Sequence, residues 1–182
     1  VRADARDNRA RIMTAADEVF GQSPSASTDD VAKLAGVGIA TVFRHFPTKT
    51  DLLEAVLTLR LERLRDRAIE LADSNFPGEA FFGFFTQVVS ESASKLAIAE
   101  ALTAAGSAAG ADAKKAGGGL RDAFDTLLKR AQEDGVVRRD AGLAAVYALL
   151  IGASRGATAV GLEPEVRDRM LGLIFDGLRP RP

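Results

Sequence analysis

Apolar residues in this chain recur three and four positions apart almost from end to end, and no alternating apolar–polar run is long enough to make a strand. That spacing restricts the chain to packed helices. Ile12, Ala15, Ala16, Val19 and Phe20 define one face of a first helix, which Gly21 and Pro24 end. A short second helix is expected from Thr28 to about Ala35. The Ser27 hydroxyl can accept from an exposed backbone N–H there, and Asp29 and Asp30 place negative charge where the helix dipole favours it. Gly36-Val37-Gly38 breaks the pattern. A third helix covers about Ile39 to His45 and stops at Phe46-Pro47, because a residue before proline avoids helical backbone angles. Thr48 then caps a long fourth helix, with Asp51 as its capping-box partner and Leu53, Val56, Leu57, Leu64, Ala68 and Leu71 on its buried side.

Asn75-Phe76-Pro77-Gly78 is a turn signal, and a helix around Glu79 to Ser94 follows. It carries Phe81, Phe82, Phe84 and Phe85, which span more than one turn and cannot all face one core. Some of them must meet a cavity, a helix interface or a partner. Ala104 to Gly119 is rich in Ala and Gly and is expected to contain a mobile loop, with Gly117-Gly118-Gly119 as a hinge. No Gly-Lys-Ser/Thr follows that run, so it is not a phosphate loop. Leu120, Phe124, Leu127, Leu128 and Ala131 form another helical face ended by Asp134-Gly135. Asp140 reads as the cap of a nearly all-apolar helix to about Val160, and Pro164 opens a last helix bearing Val166, Met170, Leu173, Ile174 and Leu178. The expected fold is all-α with about nine helices, divided into domains at 1–47 and 48–182.

Composition narrows function mostly by exclusion. The chain has 182 residues, no cysteine and one histidine. It therefore lacks disulfides and thiolate metal sites, which fits a cytoplasmic protein. No clustered acid, base or nucleophile is present, so an enzyme is disfavoured and no catalytic residue, metal or cofactor is expected. No segment reads as a signal peptide. The longest nearly apolar stretch, Ala141 to Ser154, stops at Arg155 and falls short of the ~20 residues a membrane span needs. The first residue is Val1 rather than Met, which leaves room for a native N-terminal piece. Net charge is −1, divided as +1 over residues 1–50 and −2 over the remainder. Any affinity for nucleic acid must come from a few placed contacts and not from a basic field.

Such contacts are available between Ser27 and Lys49. A short capped helix, a glycine-bearing turn and a second short helix make a helix-turn-helix, whose second helix can enter the ~12 Å major groove of DNA. Val31, Ala32, Leu34, Ala35, Val37 and Val42 are suited to pack the two helices together. Ile39, Ala40, Thr41, Phe43, Arg44 and His45 are left at or near the outer face.

The run from Ala35 to Lys49, AGVGIATVFRHFPTK, resembles the recognition segment of TetR-family repressors in its spacing, its His-Phe pair and the lysine opening the next helix. Ile12 to Phe20 is similar to the first helix of that family. The resemblance implies phosphate contacts by Ser27 or Thr28, His45 and Lys49. It implies a phosphate or base-edge contact by Thr41, and sequence preference or backbone flanking by Ile39, Ala40 and Arg44. Gly38 stands where the family often has Ser, and Phe43 where it usually has Tyr, so two phosphate-binding hydroxyls are absent. Double-stranded operator DNA is the implied partner.

The resemblance also implies a small apolar or amphipathic effector bound within the C-terminal bundle. Phe85, Val88, Phe124 and Tyr147 are the candidate lining residues. It further implies a homodimer through the last two helices, where Gly152, Ala153 and Gly156 permit close approach. A dimer would double the phosphate contacts and set the recognition helices about one DNA turn, ~34 Å, apart. The long fourth helix would act as the lever between bundle and recognition unit. The alternative is a helical ligand- or partner-binding module that does not read DNA. Arg6, Arg9 and Arg11 on the first helix suit either a contact with the DNA backbone or a solvated face.

Overall fold

The computed structural model describes residues 2–107 and 110–180, with side-chain surroundings from Asp4 onward. Among these residues it has nine α-helices and no strand. They are α1 (Arg2–Gln22), α2 (Thr28–Ala35), α3 (Ile39–His45), α4 (Lys49–Ala72), α5 (Pro77–Ser90), α6 (Ser92–Ala104), α7 (Ala111–Glu133), α8 (Leu143–Ala159) and α9 (Pro164–Leu178). None is long and apolar enough to cross a membrane. The chain divides into two compact units, Val1–Arg60 with Ser94–Lys115, and Leu61–Ala93 with Ala116–Pro182. Helices α4, α6 and α7 supply residues to both.

In the first unit, Ile12, Ala15, Ala16 and Phe20 of α1 are buried, as their spacing predicts. Val31, Ala32 and Ala35 of α2, Val42 of α3, Phe46, and Leu52, Leu53, Val56 and Leu57 of α4 are buried too. Val37 is half-buried. Leu34, expected in that packing, is 51% exposed. At roughly 100° per residue it points about 100° away from the centre of the Val31–Ala32–Ala35 face. A polar tie joins α1 to α4. Arg60 donates from Nε to the Asp17 carboxylate at 2.6 Å and from Nη2 to the Asp17 carbonyl at 2.7 Å.

The second unit is built on aromatic packing. Phe81, Phe84 and Phe85 of α5 are buried against Phe124 of α7, with ring centroids 5.5 to 6.3 Å apart. Phe82 lies at the edge of this cluster, 5.2 Å from Phe81. It is half-buried and packs on Phe175 of α9 at 4.7 Å, a helix interface that resolves the crowding expected of four phenylalanines on one helix. Val146, Leu150, Ala153 and Ala157 of α8 and Leu171 and Leu178 of α9 complete the core.

Three expectations are corrected. Asp140 does not cap α8: its N-cap is Gly142, without a side-chain hydrogen bond, and Asp140 is instead paired with Arg138 at 2.6 Å. Gly117-Gly118-Gly119 is no hinge but part of α7. Of the loop expected between Ala104 and Gly119, residues 108 and 109 lie outside the described residues. The helix expected over 79–94 ends at Ser90, and α6 restarts at Ser92. The Ser92 hydroxyl donates to the Val89 carbonyl at 2.7 Å and also lies 3.2 Å from the Ser154 carbonyl of α8.

Candidate nucleic-acid interface

The helix-turn-helix is held at both ends of α2 by short-range chemistry. At its start, the Ser27 hydroxyl accepts from the Asp30 N–H at 3.1 Å. The Asp30 carboxylate accepts in turn from the Ser27 N–H at 2.9 Å and from the Ser27 hydroxyl at 2.6 Å. These bonds hold the Asp30 carboxyl below the usual carboxylate range, the side-chain bond from Ser27 having the larger effect and the backbone bond the next. At the end of α2, Gly36 adopts the left-handed conformation with φ 63°. The N–H of Gly36 reaches the Lys33 carbonyl at 3.1 Å and the N–H of Val37 reaches Ala32 at 3.1 Å, the Schellman arrangement.

Helix α3 follows at once. Its N-cap, Gly38, has extended backbone and no side-chain cap, and open space lies where a Cβ would sit. Of its seven residues only Val42 is buried. Ile39, Ala40, Phe43 and Arg44 are exposed, and Thr41 and His45, one turn apart, are half-buried. The Phe43 ring is 45% exposed, so a large apolar surface faces outward on the helix expected to enter the groove.

Beyond α3, Thr48 and Asp51 repeat the reciprocal box of Ser27 and Asp30, with bonds of 2.8 to 3.1 Å. Lys49, half-buried at the start of α4, has its ammonium 5.7 Å above the Phe20 ring, so its stem lies on the core of the unit. Ser27, Thr28, Gly38 and Lys49 thus lie at or beside three helix starts, α2, α3 and α4.

Two cations of α1 are engaged with this unit and not simply solvated. The Arg9 guanidinium lies 5.2 Å from the Phe46 ring, and Arg11 donates to the carbonyls of Ala35 and Gly36. Sequence spacing carries no sign of this, because the carbonyls are 24 and 25 residues from Arg11.

In the second unit, Phe85 and Phe124 are fully buried, Val88 is buried and Tyr147 is half-buried. The Phe124 ring bridges Phe85 at 6.3 Å and Tyr147 at 5.9 Å, so the structure gathers these three candidate lining residues at one place. Burial raises the Tyr147 phenol above its usual range, opposed by the nearby Arg121 charge.

The chain is similar to known proteins. Residues 12–56 match the family described as bacterial regulatory proteins, tetR family, and residues 76–180 match the transcriptional regulator SbtR-like C-terminal domain. A TetR transcription regulatory protein from Mycobacterium vanbaalenii is 35% identical in sequence. Its crystal structure superposes with a TM-score of 0.79 over 98% of this chain and 99% of that one. A TetR transcriptional regulator from Streptomyces coelicolor is 29% identical, with a TM-score of 0.76 over 96% and 99% of the two chains. The HTH-type transcriptional repressor LfrR of Mycolicibacterium smegmatis is 42% identical over 74 residues, 40% of this chain and only 39% of its own length. One match falls on the recognition segment, another on most of the remainder, and a relative at 35% identity spans both, so this chain belongs to the TetR family of DNA-binding transcriptional regulators, a family of regulators and not of enzymes.

Proposed function

We propose that the protein is a dimeric repressor that leaves a pseudo-palindromic operator when a small apolar or amphipathic effector binds. The observation that carries this reading is the exposed apolar surface of the last two helices. Leu149 and Ile151 of α8 and Val166 and Leu173 of α9 are exposed, Leu173 to 76%. Gly152 and Gly156 on α8 have open space beyond their α-carbons. Large apolar side chains in this number suit a second copy better than water. Dimerisation also answers the weak charge of the head, since two copies double the phosphate contacts.

Within each copy, residues 1–47 act as the reading head and 48–182 as the sensing and pairing domain. Thr28, Thr41, His45 and Lys49 hold phosphates, with Thr41 also reaching a base edge. Ile39, Ala40 and Arg44 set sequence preference. Ser27 contributes less than its position suggests, because its hydroxyl proton is already committed to Asp30. Gly38 and Phe43 let backbone and ring approach the sugar–phosphate chain without hydroxyls of their own. Phe85, Val88, Phe124 and Tyr147 contact the effector, and the long α4 carries the response, favouring one spacing of the heads over another. Repression, as opposed to activation, is supported by the description of LfrR as a repressor.

Selection of bound sequences from random DNA, with sedimentation of the free protein, tests the reading. A pseudo-palindromic site and a dimer at micromolar concentration are expected. A monomer reading a single half-site would overturn it. The effector arm is tested by a small-molecule screen for release from the selected DNA, in which Phe85→Ala should change the response while leaving DNA binding intact.

A further inference from the structure

We propose that Arg11 is a positioning residue for DNA reading, completing the cap of α2 from α1 and so holding the turn that aims α3. The Schellman turn engages the carbonyls of Ala32 and Lys33. Beyond Leu34, the carbonyls of Ala35 and Gly36 lie past the end of the helix ladder. Arg11 Nη2 donates to both, at 2.6 Å and 3.0 Å. A guanidinium suits that place twice over. It supplies charge-assisted bonds to two acceptors at once, and it sets positive charge against the negative end of the α2 dipole.

The local backbone is arranged around this contact. Gly36 needs its left-handed φ of 63° for the turn, and a Cβ there would sit 2.8 Å from Arg11 Nη2. Glycine at 36 therefore leaves room for the cation as well as meeting the need of the backbone. The backbone from which Arg11 reaches out is anchored by the next residue, Ile12, whose side chain is fully buried. The chain runs from the clamped carbonyls to α3 through only Val37 and Gly38, so the direction of α3 depends on the geometry Arg11 holds. A shift of about 1 Å in a contacting group is enough to lose much of its contribution.

Both bonds drawn on by Arg11 are to protein carbonyls, which distinguishes this role from that of a phosphate ligand. The two roles differ in their dependence on salt. Losing a phosphate contact makes the plot of log affinity against log salt concentration shallower by about 0.9 per contact in duplex DNA. Losing a positioning residue lowers affinity without changing that slope.

The experiment uses the full chain and a DNA site selected by it from random sequence. Binding of wild type, Arg11→Gln and Arg11→Lys is measured by fluorescence anisotropy over a range of KCl concentrations, with amide hydrogen exchange on the free proteins. For Arg11→Gln the expected result is about tenfold weaker binding, the equivalent of one charge-assisted hydrogen bond, at unchanged salt slope. Exchange should quicken at Gly36 and Val37 but not at Ile12 or Phe20, which separates loss of the clamp from loss of the fold. Arg11→Lys, which keeps the charge and a donor nitrogen but not the guanidinium's reach and planar geometry, should recover part of the affinity and part of the protection. A slope shallower by about 0.9 or more with unchanged exchange would make Arg11 a phosphate ligand and overturn the proposal. Unchanged affinity in either variant would overturn it equally.

Discussion

The Asp17–Arg60 pair makes an energetic prediction that its geometry fixes in sign as well as size. Its side chains are only 20% and 12% exposed, and Arg60 donates to both the carboxylate and the backbone carbonyl of Asp17. Removing one partner of a fully buried pair costs about 3–5 kcal/mol, and an exposed pair contributes about 0.2–1 kcal/mol. With a fifth of the Asp17 side chain still wet, Arg60→Met should cost about 2–3 kcal/mol, near the lower end of the buried case. Thermal unfolding followed by circular dichroism should then shift by roughly 4–12 °C for a chain of this size. In a double-mutant cycle with Asp17→Ala, the coupling should be about 1.5 kcal/mol or more.

Gly21 sharpens the test. A Cβ there would lie 2.8 Å from Arg60 Nη2, the far end of a side chain that two hydrogen bonds hold in place. Gly21→Ala should therefore destabilise the wild-type protein by displacing the guanidinium. In the Arg60→Met background the obstacle is gone. The same substitution should then stabilise by up to about 1 kcal/mol, the ordinary advantage of alanine over glycine in a helix. Coupling below about 0.5 kcal/mol, or a Gly21→Ala effect of the same sign in both backgrounds, would refute the reasoning.

Other substitutions probe the head and the exposed apolar surface of α9. Ser27→Ala should lower the melting temperature by about 2–4 °C, the usual cost of losing a helix cap in a chain of this length. It should also weaken the acid dependence of stability. The Asp30 carboxyl is held below its unfolded value near 3.8, so its contribution is present above that pH and lost as pH falls through the lower folded value. Unfolding curves from pH 5 to pH 2 should be steeper for wild type than for the variant. Gly38→Ser meets no neighbour and supplies the missing side-chain cap of α3. It should raise stability by a few tenths of a kcal/mol and tighten operator binding, whereas weaker binding would count against a phosphate near Gly38. Leu173→Glu replaces a side chain that is 76% exposed, so a monomeric chain should tolerate it. Sedimentation should show the dimer converted to a monomer with its helical content kept.

The parts of the fold legible in the sequence were those specified within one helical turn. Ser27 with Asp30 and Thr48 with Asp51 bond across three residues, and both helix starts could be read from the bare spacing. Gly36 marked its turn for the same reason. Asp140 shows where such reading fails. An acidic residue ahead of an apolar run looks like a cap, but Arg138, two residues away, takes both carboxylate oxygens. Gly117 to Gly119 have poor helix propensity, about 1 kcal/mol each relative to alanine. They are helical because Ala113, Ala116, Leu120 and Ala123 around them are buried, so packing overrides propensity. The break at Glu91 has neither glycine nor proline to announce it, and it shows only in the bonds Ser92 makes to Val89 and to α8. In the DNA-reading segment, position along the chain was enough to nominate Thr41, His45 and Lys49. The contacts that hold the segment in place, from Arg9 and Arg11, cross the whole head and required its tertiary structure.

Tyr147 gives the protein an optical property that its packing alone does not suggest. It is the one tyrosine of these 182 residues, which hold no tryptophan, so phenol emission from this chain has a single origin. That origin lies in the second unit, with Phe124 5.9 Å from the ring on one side and the Arg121 guanidinium 5.8 Å from it. Intrinsic fluorescence therefore reports on the aromatic core around Phe85 and Phe124 and on nothing in α1, α2 or α3, which contain no emitter of comparable strength. Two copies in a symmetric assembly would present the same surroundings twice and still give one signal. Unlabelled protein can thus be titrated with a small molecule or with DNA, and a change in emission is assigned to the neighbourhood of one known side chain.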